Sequence, residues 1–301
     1  MFKQSGKKMR ILIYGAGVIG CLYGALLSEA GYDVSVYARG KRLECLQTNG
    51  LRYVMHKKTR TASVTVLARL EPNDRYDFIF LTVRENQLHT ALKELKENCS
   101  PTVVTMVNSL EPYEKWEAVC GQGRIVPAFP GAGGGFEGDT LNAALTPRII
   151  QPTTVGRTGG KEKPLASVFR KAGIPCQIVR DMRAWQICHL AMVVPIADAY
   201  YEAADSANAG KDHALMHNTA EQIKRNLRDT AEMGIKLSPV KMHLFRILPS
   251  RIIAIVLGFV FRSGFGDRFM YRHSMKAPDE MRCLHEQFYA FVQQDGFTNQ
   301  D

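Results

Sequence analysis

Three glycines that follow a short apolar segment constrain the fold of this chain more than any other feature. The segment RILIY is followed by GAGVIG, so that Gly15, Gly17 and Gly20 form a G-x-G-x-x-G pattern. Apolar residues at helical spacing come next and stop at a glycine. A strand, a glycine turn and a helix in this order are typical of a dinucleotide-binding βαβ unit, although a turn without a ligand is the alternative. The residues predicted to bind the pyrophosphate are Gly15, Ala16, Gly17, Val18, Ile19 and Gly20.

The remainder of the chain divides into an alternating part and a helical part. Up to about residue 180, short apolar segments such as DVSVY, DFIFL and VVTM alternate with segments of helical spacing, which favours a doubly wound sheet. Later segments are long and helix-favouring. We therefore predict an α/β fold with an N-terminal Rossmann-type doubly wound sheet in residues 1–180 and an all-helical C-terminal domain in residues 181–301. The first would bind the cofactor, and the second would bind substrate or mediate dimerisation.

Basic residues follow the second predicted strand, where a site for NAD usually has an acidic residue. The segment reads VYARGKR, and Arg39 stands 19 positions after Gly20, with Arg42 close behind. A guanidinium cannot accept a hydrogen bond from a ribose hydroxyl, but its planar fork matches a 2′-phosphate in charge and geometry. Arg39 and Arg42 therefore indicate NADP(H). The alternative is that they are ordinary solvated residues at the start of a helix.

Charge and cysteine content limit the classes of partner. The 301 residues carry a formal net charge of +10, but no basic run with interleaved aromatics is present, so we predict no nucleic-acid partner and a positive field that attracts anionic small molecules. The seven cysteines include no C-x-x-C pair, which predicts no metal site, no disulfide framework and a reducing, cytoplasmic environment. The N-terminus is basic without a long apolar stretch, which predicts no secretory signal.

Two further segments are predicted to be structural. IIAIVLGFVF, residues 252–261, is ten apolar residues long, well short of the ~20 that cross a bilayer. It predicts a helix that is buried or lies at the interface of a homodimer, and no membrane partner. GAGGG, residues 131–135, is predicted to be a flexible turn because no helix start follows it, and a functional loop is the alternative.

Several segments together resemble the ketopantoate reductase (2-dehydropantoate 2-reductase) family over most of the chain. They are GAGVIG, ARGKRLECLQTNGLR, LTVRENQ, VVTMVNSLEPYEKW and the helical C-terminal half. The resemblance implies reduction of the keto group of ketopantoate with NADPH, in pantothenate biosynthesis. It also implies that the second domain is similar to the C-terminal domain of 6-phosphogluconate dehydrogenase.

Four site residues follow from this resemblance. Asn108, in VNSL, stands where the family has an asparagine beside the nicotinamide, and its amide can both donate and accept. Arg84, in TVRENQ, stands where the family has a lysine, and would contact the cofactor and an anionic group of the substrate. Ser274 and Glu286 have the family's spacing for a serine that binds the substrate carboxylate and a glutamate that binds its hydroxyl. For Glu286, a solvated helix face is an equal alternative.

The chain departs from the family at the general acid. The family has a lysine shortly after the tryptophan of RAWQICHLAMVVP, and no alignment of this segment supplies one. Gln186 stands at one of the candidate positions and can hold a carbonyl, but it cannot deliver a proton. His189 is the titratable side chain of this apolar stretch, and an imidazole with an unperturbed pKa near ~6.5 suits proton transfer. We therefore predict Asn108, Gln186 and His189 as catalytic residues, with His189 as the proton donor. A core histidine without a catalytic role is the alternative.

The sequence thus predicts an NADPH-dependent oxidoreductase of the ketopantoate reductase type, acting on a small 2-keto acid. Loss of the lysine leaves two alternatives. One is a non-catalytic NADP-binding sensor or regulatory protein, and the other is a protein whose helical half serves chiefly for assembly.

Overall fold

The computed structural model describes residues 8–296, with the backbone alone for residues 294–296. The prediction about a secretory signal falls on residues 1–7, which lie outside this range. The described chain forms two units. The first comprises residues up to 107 together with 112–180, and the second comprises residues 108–111 together with those from 181 onward. Residues 108–111 therefore lie in the helical unit, although the sequence places them within 1–180.

The first unit contains strands that alternate with helices. Its strands are β1 (Arg10–Tyr14), β2 (Asp33–Tyr37), β3 (Leu51–Met55), β4 (Lys58–Ala62), β5 (Thr65–Leu67), β6 (Phe78–Leu81), β7 (Val103–Thr105), β8 (Ile125–Phe129), β9 (Ala132–Glu137), β10 (Thr140–Leu145), β11 (Thr153–Gly156) and β12 (Cys176–Val179). Its helices are α1 (Val18–Glu29), α2 (Gly40–Asn49), α3 (Leu88–Lys96), α4 (Tyr113–Cys120) and α5 (Glu162–Lys171), with a 3₁₀ turn at Glu85–Gln87.

The main sheet has the strand order β12-β11-β8-β7-β6-β1-β2-β5. Neighbouring strands are parallel except for β8 and β11, which are antiparallel. The order from β5 to β8 reverses direction at β1 and β6, which is the switch point where open α/β sheets bind ligands at the carboxyl ends of their strands. The predicted Rossmann-type fold is confirmed, and the loops after β1 and β6 lie at this switch point.

A second sheet, with the order β4-β3-β10-β9, was not predicted. The segment GAGGG was predicted to be a flexible turn, and this prediction was wrong because most of it lies in β9, which pairs antiparallel with β10. Gly134 has φ +147, and a Cβ there would come within 2.4 Å of the Ala143 Cα and the Asn142 carbonyl oxygen. The glycines therefore permit close approach of two strands, a role that sequence spacing does not reveal.

Replacing Gly134 with alanine is expected to lower the free energy of unfolding by about 3 kcal/mol, because the added methyl meets backbone atoms that cannot move aside. Gly138→Ala is the matched control, since Gly138 also has a positive φ of 60° but open space around it. It is expected to cost only about 1 kcal/mol. Urea unfolding of both variants measures the difference, and equal losses would show that strand contact at Gly134 contributes nothing.

The second unit is helical. Its helices are α6 (Met182–Glu202), α7 (His213–Glu232), α8 (Met242–Ile247), α9 (Ser250–Phe261), α10 (Gly264–Gly266), α11 (Arg272–Lys276) and α12 (Pro278–Gly296), with a 3₁₀ turn at Ser206–Lys211 and a π-helical turn at Asp267–Tyr271. Asp181 and Asp212 start α6 and α7 by accepting backbone N–H groups, each at 2.9 Å. The core of the unit contains Leu190, Ile223, Leu227, Leu284 and Phe288.

Helix α9 corresponds to the apolar segment that was predicted to be buried or at a dimer interface. Only one of its faces is buried, through Ile253, Leu257 and Phe261. The prediction of a buried helix is therefore wrong for the opposite face of α9, which is exposed to solvent. In the part of the chain that the structure describes, no helix is long and apolar enough to cross a membrane.

Candidate functional site

The glycine loop between β1 and α1 is held in place by backbone contacts at the switch point. Gly15 adopts φ +113, and a Cβ on it would lie 2.8 Å from the Thr82 carbonyl oxygen. A Cβ on Gly20 would lie 2.0 Å from the Gly15 carbonyl oxygen. Thr82, which follows β6, donates from its hydroxyl to the Gly15 carbonyl at 2.8 Å. The loop thus depends on two glycines for close approach and on Thr82 as a brace.

The environment of Gly17 differs from those of Gly15 and Gly20. It is the N-cap of α1, and nothing lies within 4 Å of the position that a Cβ would occupy. Its φ of −77° is accessible to any residue, so backbone strain does not require glycine. The open space lies beside the first backbone N–H groups of a twelve-residue helix, which attract anions. The residues present therefore fit a dinucleotide pyrophosphate.

Arg39 lies at the carboxyl end of β2 among aromatic and acidic side chains. Its guanidinium donates to the Tyr14 hydroxyl at 3.0 Å and lies 3.6 Å from the Glu94 carboxylate. It also lies 5.4 Å from the centroid of the Tyr37 ring. Tyr14 donates to Glu94, and burial, reinforced by the Glu94 carboxylate, raises the pKa of Tyr14 above its usual range. Arg39 is thus half-exposed and already has an anionic neighbour.

Arg42 lies against the glycine loop itself. Its Nε donates to the Ala16 carbonyl at 3.1 Å, and its guanidinium lies 3.9 Å from the centroid of the Phe136 ring. Phe136 belongs to β9, the strand that was predicted to be a turn. A guanidinium beside the loop adds positive charge where a pyrophosphate or a 2′-phosphate would lie.

Arg84 occupies the loop after β6, on the other side of the switch point. It is exposed and precedes the 3₁₀ turn Glu85–Gln87, with the Gln87 N–H donating to its carbonyl at 2.9 Å. The structure therefore brings the glycine loop, Arg42 and Arg84 to the same edge of the sheet. The structure also places Thr82 and Glu94 there, and neither was identified from the sequence.

The segment 108–111 is attached to the helical unit at Leu110. The Leu110 carbonyl accepts from Arg183 Nη1 at 2.7 Å, and its N–H donates to Gln287 Oε1 at 3.2 Å. Arg183 lies in α6 and Gln287 in α12, so two helices hold the segment that carries Asn108. Sequence reasoning missed both residues, because nothing local marks a side chain that binds the backbone of a distant segment.

Asn108 carries a buried acceptor. Its Oδ1 is buried and has no hydrogen-bond partner among the described residues. A buried amide oxygen without a donor is uncommon in folded proteins and calls for a partner. A carboxamide N–H or a hydroxyl of a ligand would supply one.

Gln186 and His189 lie in the first half of α6 and are both buried. The His189 ring stacks on the Trp185 ring, with centroids 5.1 Å apart and planes inclined by 9°. Leu190 and Ala191, which follow His189 in the sequence, are fully buried in the core. Gln186 and His189 are therefore the buried polar residues of this part of α6.

The environment of His189 corrects the chemical state predicted for it. Burial, with a smaller contribution from the charge of His273, lowers the pKa of His189 to about 3. The ring is therefore neutral at neutral pH, and the imidazolium expected as proton donor is not present. The unperturbed pKa used in the prediction applies to a solvated imidazole, whereas this ring lies against an indole in a packed helix.

The two residues of the helical unit that were predicted to bind substrate, Ser274 and Glu286, differ in burial. Ser274 is buried in α11, and its carbonyl accepts from the Tyr201 hydroxyl at 2.6 Å. His273, beside it in sequence, is close enough to influence the charge of His189. Glu286 is instead exposed on α12. Its exposure favours the alternative of a solvated helix face. Among the described residues, no group of three or more acidic, cysteine or histidine side chains is arranged to hold a metal ion.

Together these features define a protein with a Rossmann-type sheet and a helical unit that contains the buried Gln186 and His189 and the half-buried Asn108. Comparison with known sequences shows which family the chain resembles. Residues 11–146 match the family model described as "Ketopantoate reductase PanE/ApbA", so this part of the chain is similar to that family. The resemblance predicted from the sequence is confirmed.

Two relatives show the extent of the similarity. The 2-dehydropantoate 2-reductase of Archaeoglobus fulgidus is 32% identical over 178 residues, which cover 58% of each chain. That of Mesorhizobium japonicum is 36% identical over 138 residues, 45% of this chain and 38% of the relative. The chain thus spans between about two fifths and three fifths of the length of these two relatives.

Solved structures share the fold at low identity. The PanE/ApbA family ketopantoate reductase from Ralstonia eutropha superposes with a TM-score of 0.66 over 96% of this chain and all of that chain, at 17% identity. D-mandelate dehydrogenase in a complex with NADH and anilino(oxo)acetate gives a TM-score of 0.62 over 96% of this chain and 99% of that chain, at 14% identity. These structural similarities establish the fold of the chain.

Proposed function

We propose that the chain is an NADPH-dependent oxidoreductase that reduces the keto group of a 2-keto acid, of the 2-dehydropantoate 2-reductase type. The main support for the proposal is the glycine loop at the switch point, where open space at Gly17 lies beside the start of α1. This loop lies within residues 11–146, which match the ketopantoate reductase family model. Gly15, Gly20 and Thr82 hold the loop that would bind the pyrophosphate.

The cofactor is proposed to be NADPH because cations stand where an NAD site usually has an acid. Arg39 follows β2 as the N-cap of α2, and Arg42 lies in the first turn of α2 and contacts the glycine loop. The fold neighbour D-mandelate dehydrogenase binds NADH, so the preference has to come from these side chains rather than from the fold. Glu94 beside Arg39 competes with a phosphate for the same guanidinium.

Arg39→Asp is expected to lower the affinity for NADPH about 10- to 100-fold while changing the affinity for NADH little, because a charge-assisted contact to the 2′-phosphate is lost. Lys41→Asp, two positions further on and exposed, is the matched control for the charge change and should leave the ratio of affinities near that of the parent. Glu94→Gln should raise NADPH affinity several-fold because it frees Arg39. Fluorescence titration gives the affinities of the parent and the three variants for NADPH and NADH. An unchanged ratio of the two affinities in Arg39→Asp would refute Arg39 as the basis of the preference for NADPH.

The helical unit is proposed to act on the substrate. A bound nicotinamide would supply the hydride. The amides of Asn108 and Gln186 would orient the carbonyl and donate to its oxygen as negative charge develops there. His189 is proposed to donate a hydrogen bond to the carbonyl oxygen as a neutral imidazole, since its pKa is about 3. The proton that converts the alkoxide to the hydroxyl would then come from solvent water. Ser274 and Arg84 would bind anionic groups of the substrate, while the exposed Glu286 has the weakest support.

A second candidate function is a sensor or regulatory protein that binds NADP without turnover. The neutral His189 and the uncharged Gln186 favour it, since neither is a charged proton donor in α6.

Oxidation of NADPH, followed at steady state with a panel of 2-keto acids that includes ketopantoate, separates the two functions. Turnover that falls at least about 100-fold in Asn108→Ala, with NADPH binding retained, supports reduction of a keto acid. Micromolar NADPH binding without turnover on any member of the panel would instead support the sensor.

A further inference from the structure

Helix α9 has an apolar face exposed to solvent. Four side chains at positions i, i+3, i+4 and i+7 form one stripe along it: Ile252, Ile255, Val256 and Phe259, which are 46%, 60%, 50% and 66% exposed. The opposite face packs into the core of the helical unit. A helix that is apolar on both its buried and its exposed face is unusual for a surface position, and a contiguous exposed stripe of this kind marks an interaction site.

The apolar surface continues into the preceding helix. Leu244 and Ile247 of α8 and the following Leu248 are also exposed, and only Pro249 separates Leu248 from α9. Lys224 of α7 donates to the Leu248 carbonyl at 2.7 Å, which brings a further cation to the junction of the two helices. We refer to these seven apolar residues, six in α8 and α9 together with Leu248 between them, as the α8–α9 surface.

The ionisable Lys, Arg, Asp and Glu side chains of residues 233–266 are all basic. Residues 233–266 contain no aspartate or glutamate. They contain five lysines and arginines: Lys236, Lys241, Arg246, Arg251 and Arg262. Arg262 lies over the Phe259 ring, with its guanidinium carbon 4.9 Å from the ring centroid, so one cation is in contact with the apolar stripe itself. Long basic side chains can lie along apolar surface while their charged ends reach outward.

We propose that the α8–α9 surface binds the surface of an anionic lipid bilayer, with α9 lying in the plane of the interface. Apolar side chains on one face and surrounding lysines and arginines are the combination that such helices use. Each cation near an anionic bilayer adds to the attraction. A second copy of the chain is less well matched, because it would bring the same cations to the contact without any carboxylate from residues 233–266 to pair with them.

This association is distinct from spanning a membrane. The sequence prediction of no membrane partner considered only whether the apolar segment was long enough to cross a bilayer. A helix lying on the surface needs one apolar face, and the exposure of that face is visible only in the folded chain.

Co-sedimentation of the purified chain with large vesicles tests the proposal. With vesicles of equal parts phosphatidylglycerol and phosphatidylcholine at low salt, we expect binding at least about tenfold stronger than with phosphatidylcholine alone. Raising the NaCl concentration is expected to weaken the binding, because the charges are solvent-exposed.

Two double variants separate the apolar and charged contributions. One variant removes two apolar side chains, Ile255→Ser with Phe259→Ser, and the other removes two cations, Arg246→Gln with Arg251→Gln. Each should reduce binding to the mixed vesicles at least about tenfold. Ile149→Ser is the matched apolar control, since Ile149 is 87% exposed in the first unit. Lys58→Gln with Lys96→Gln removes the same charge from exposed positions of that unit. Both controls should bind as the parent does, and circular dichroism melting verifies that every variant is folded.

Equal binding to both kinds of vesicle, or no loss in either double variant, would overturn the proposal. Sedimentation equilibrium gives the remaining outcome. A parent dimer that becomes monomeric in Ile255→Ser with Phe259→Ser, without vesicle binding by either protein, would assign the surface to a second copy.

Discussion

Gly20→Ala is expected to abolish measurable NADPH binding and to lower the free energy of unfolding by about 3 kcal/mol. The new methyl would lie 2.0 Å from the Gly15 carbonyl oxygen, 2.5 Å from the Thr82 hydroxyl and 2.9 Å from Ile13 Cγ2. Two of these contacts are with the loop and its brace, so α1 must move away from the sheet to relieve them. Urea unfolding and fluorescence titration with NADPH measure the two effects.

Gly17→Ala is the matched control within the same loop. Its methyl enters open space, and its φ suits alanine, so the unfolding free energy should change by less than about 1 kcal/mol. NADPH affinity should nevertheless fall about 100-fold, because the methyl occupies the space proposed for the pyrophosphate. A Gly17→Ala protein with the parent's affinity would contradict the proposed cofactor position.

Acid is expected to destabilise the protein through His189. The pKa of this residue is lowered from 6.5 to about 3 by burial, so the unfolded chain binds a proton that the folded chain does not. The stabilising contribution of the neutral form is therefore complete above pH 6.5 and is lost as the pH falls towards 3. The slope is about 1.4 kcal/mol per pH unit. Between pH 6.5 and 4.5 the folded protein should lose about 2 to 3 kcal/mol from this source.

The difference between the parent and His189→Gln isolates this effect, because other titrating groups cancel. The unfolding free energy of the parent minus that of His189→Gln should fall by about 2 to 3 kcal/mol between pH 6.5 and 4.5, whatever its value at neutral pH. His213→Gln, at an exposed position at the start of α7, controls for the loss of a histidine. Parallel stability curves for parent and His189→Gln would show that His189 remains able to take up a proton in the folded state.

Local patterns in the sequence were sufficient to predict the elements of the main sheet. Apolar runs of strand length, helical spacing and the glycine pattern all depend on neighbouring residues, and β1, α1 and β2 follow from them directly. The change to long helical segments near residue 180 also reflects local composition. Arg39 and Arg42 could be identified because they follow β2 at a fixed distance from the glycines.

Residues whose roles depend on distant partners could not be predicted in this way. Thr82 braces a loop that precedes it by more than sixty positions in the sequence. Glu94 reaches Arg39 from another helix, and Arg183 and Gln287 bind Leu110 from two others. The glycines of β9 look like a turn for a different reason: glycine is uncommon in strands, and their close approach to the neighbouring strand β10 appears only in the folded hairpin.

The sequence by itself determined which chemical groups are present: a glycine loop after β1, cations after β2, and a histidine in the apolar stretch that follows Trp185. The tertiary structure decided the state of those groups. It surrounds His189 with apolar packing and removes its charge, gives Arg39 an anionic neighbour, and leaves one face of α9 exposed. The physical reason is that desolvation and ion pairing depend on which atoms surround a side chain, and most of those atoms belong to distant parts of the chain.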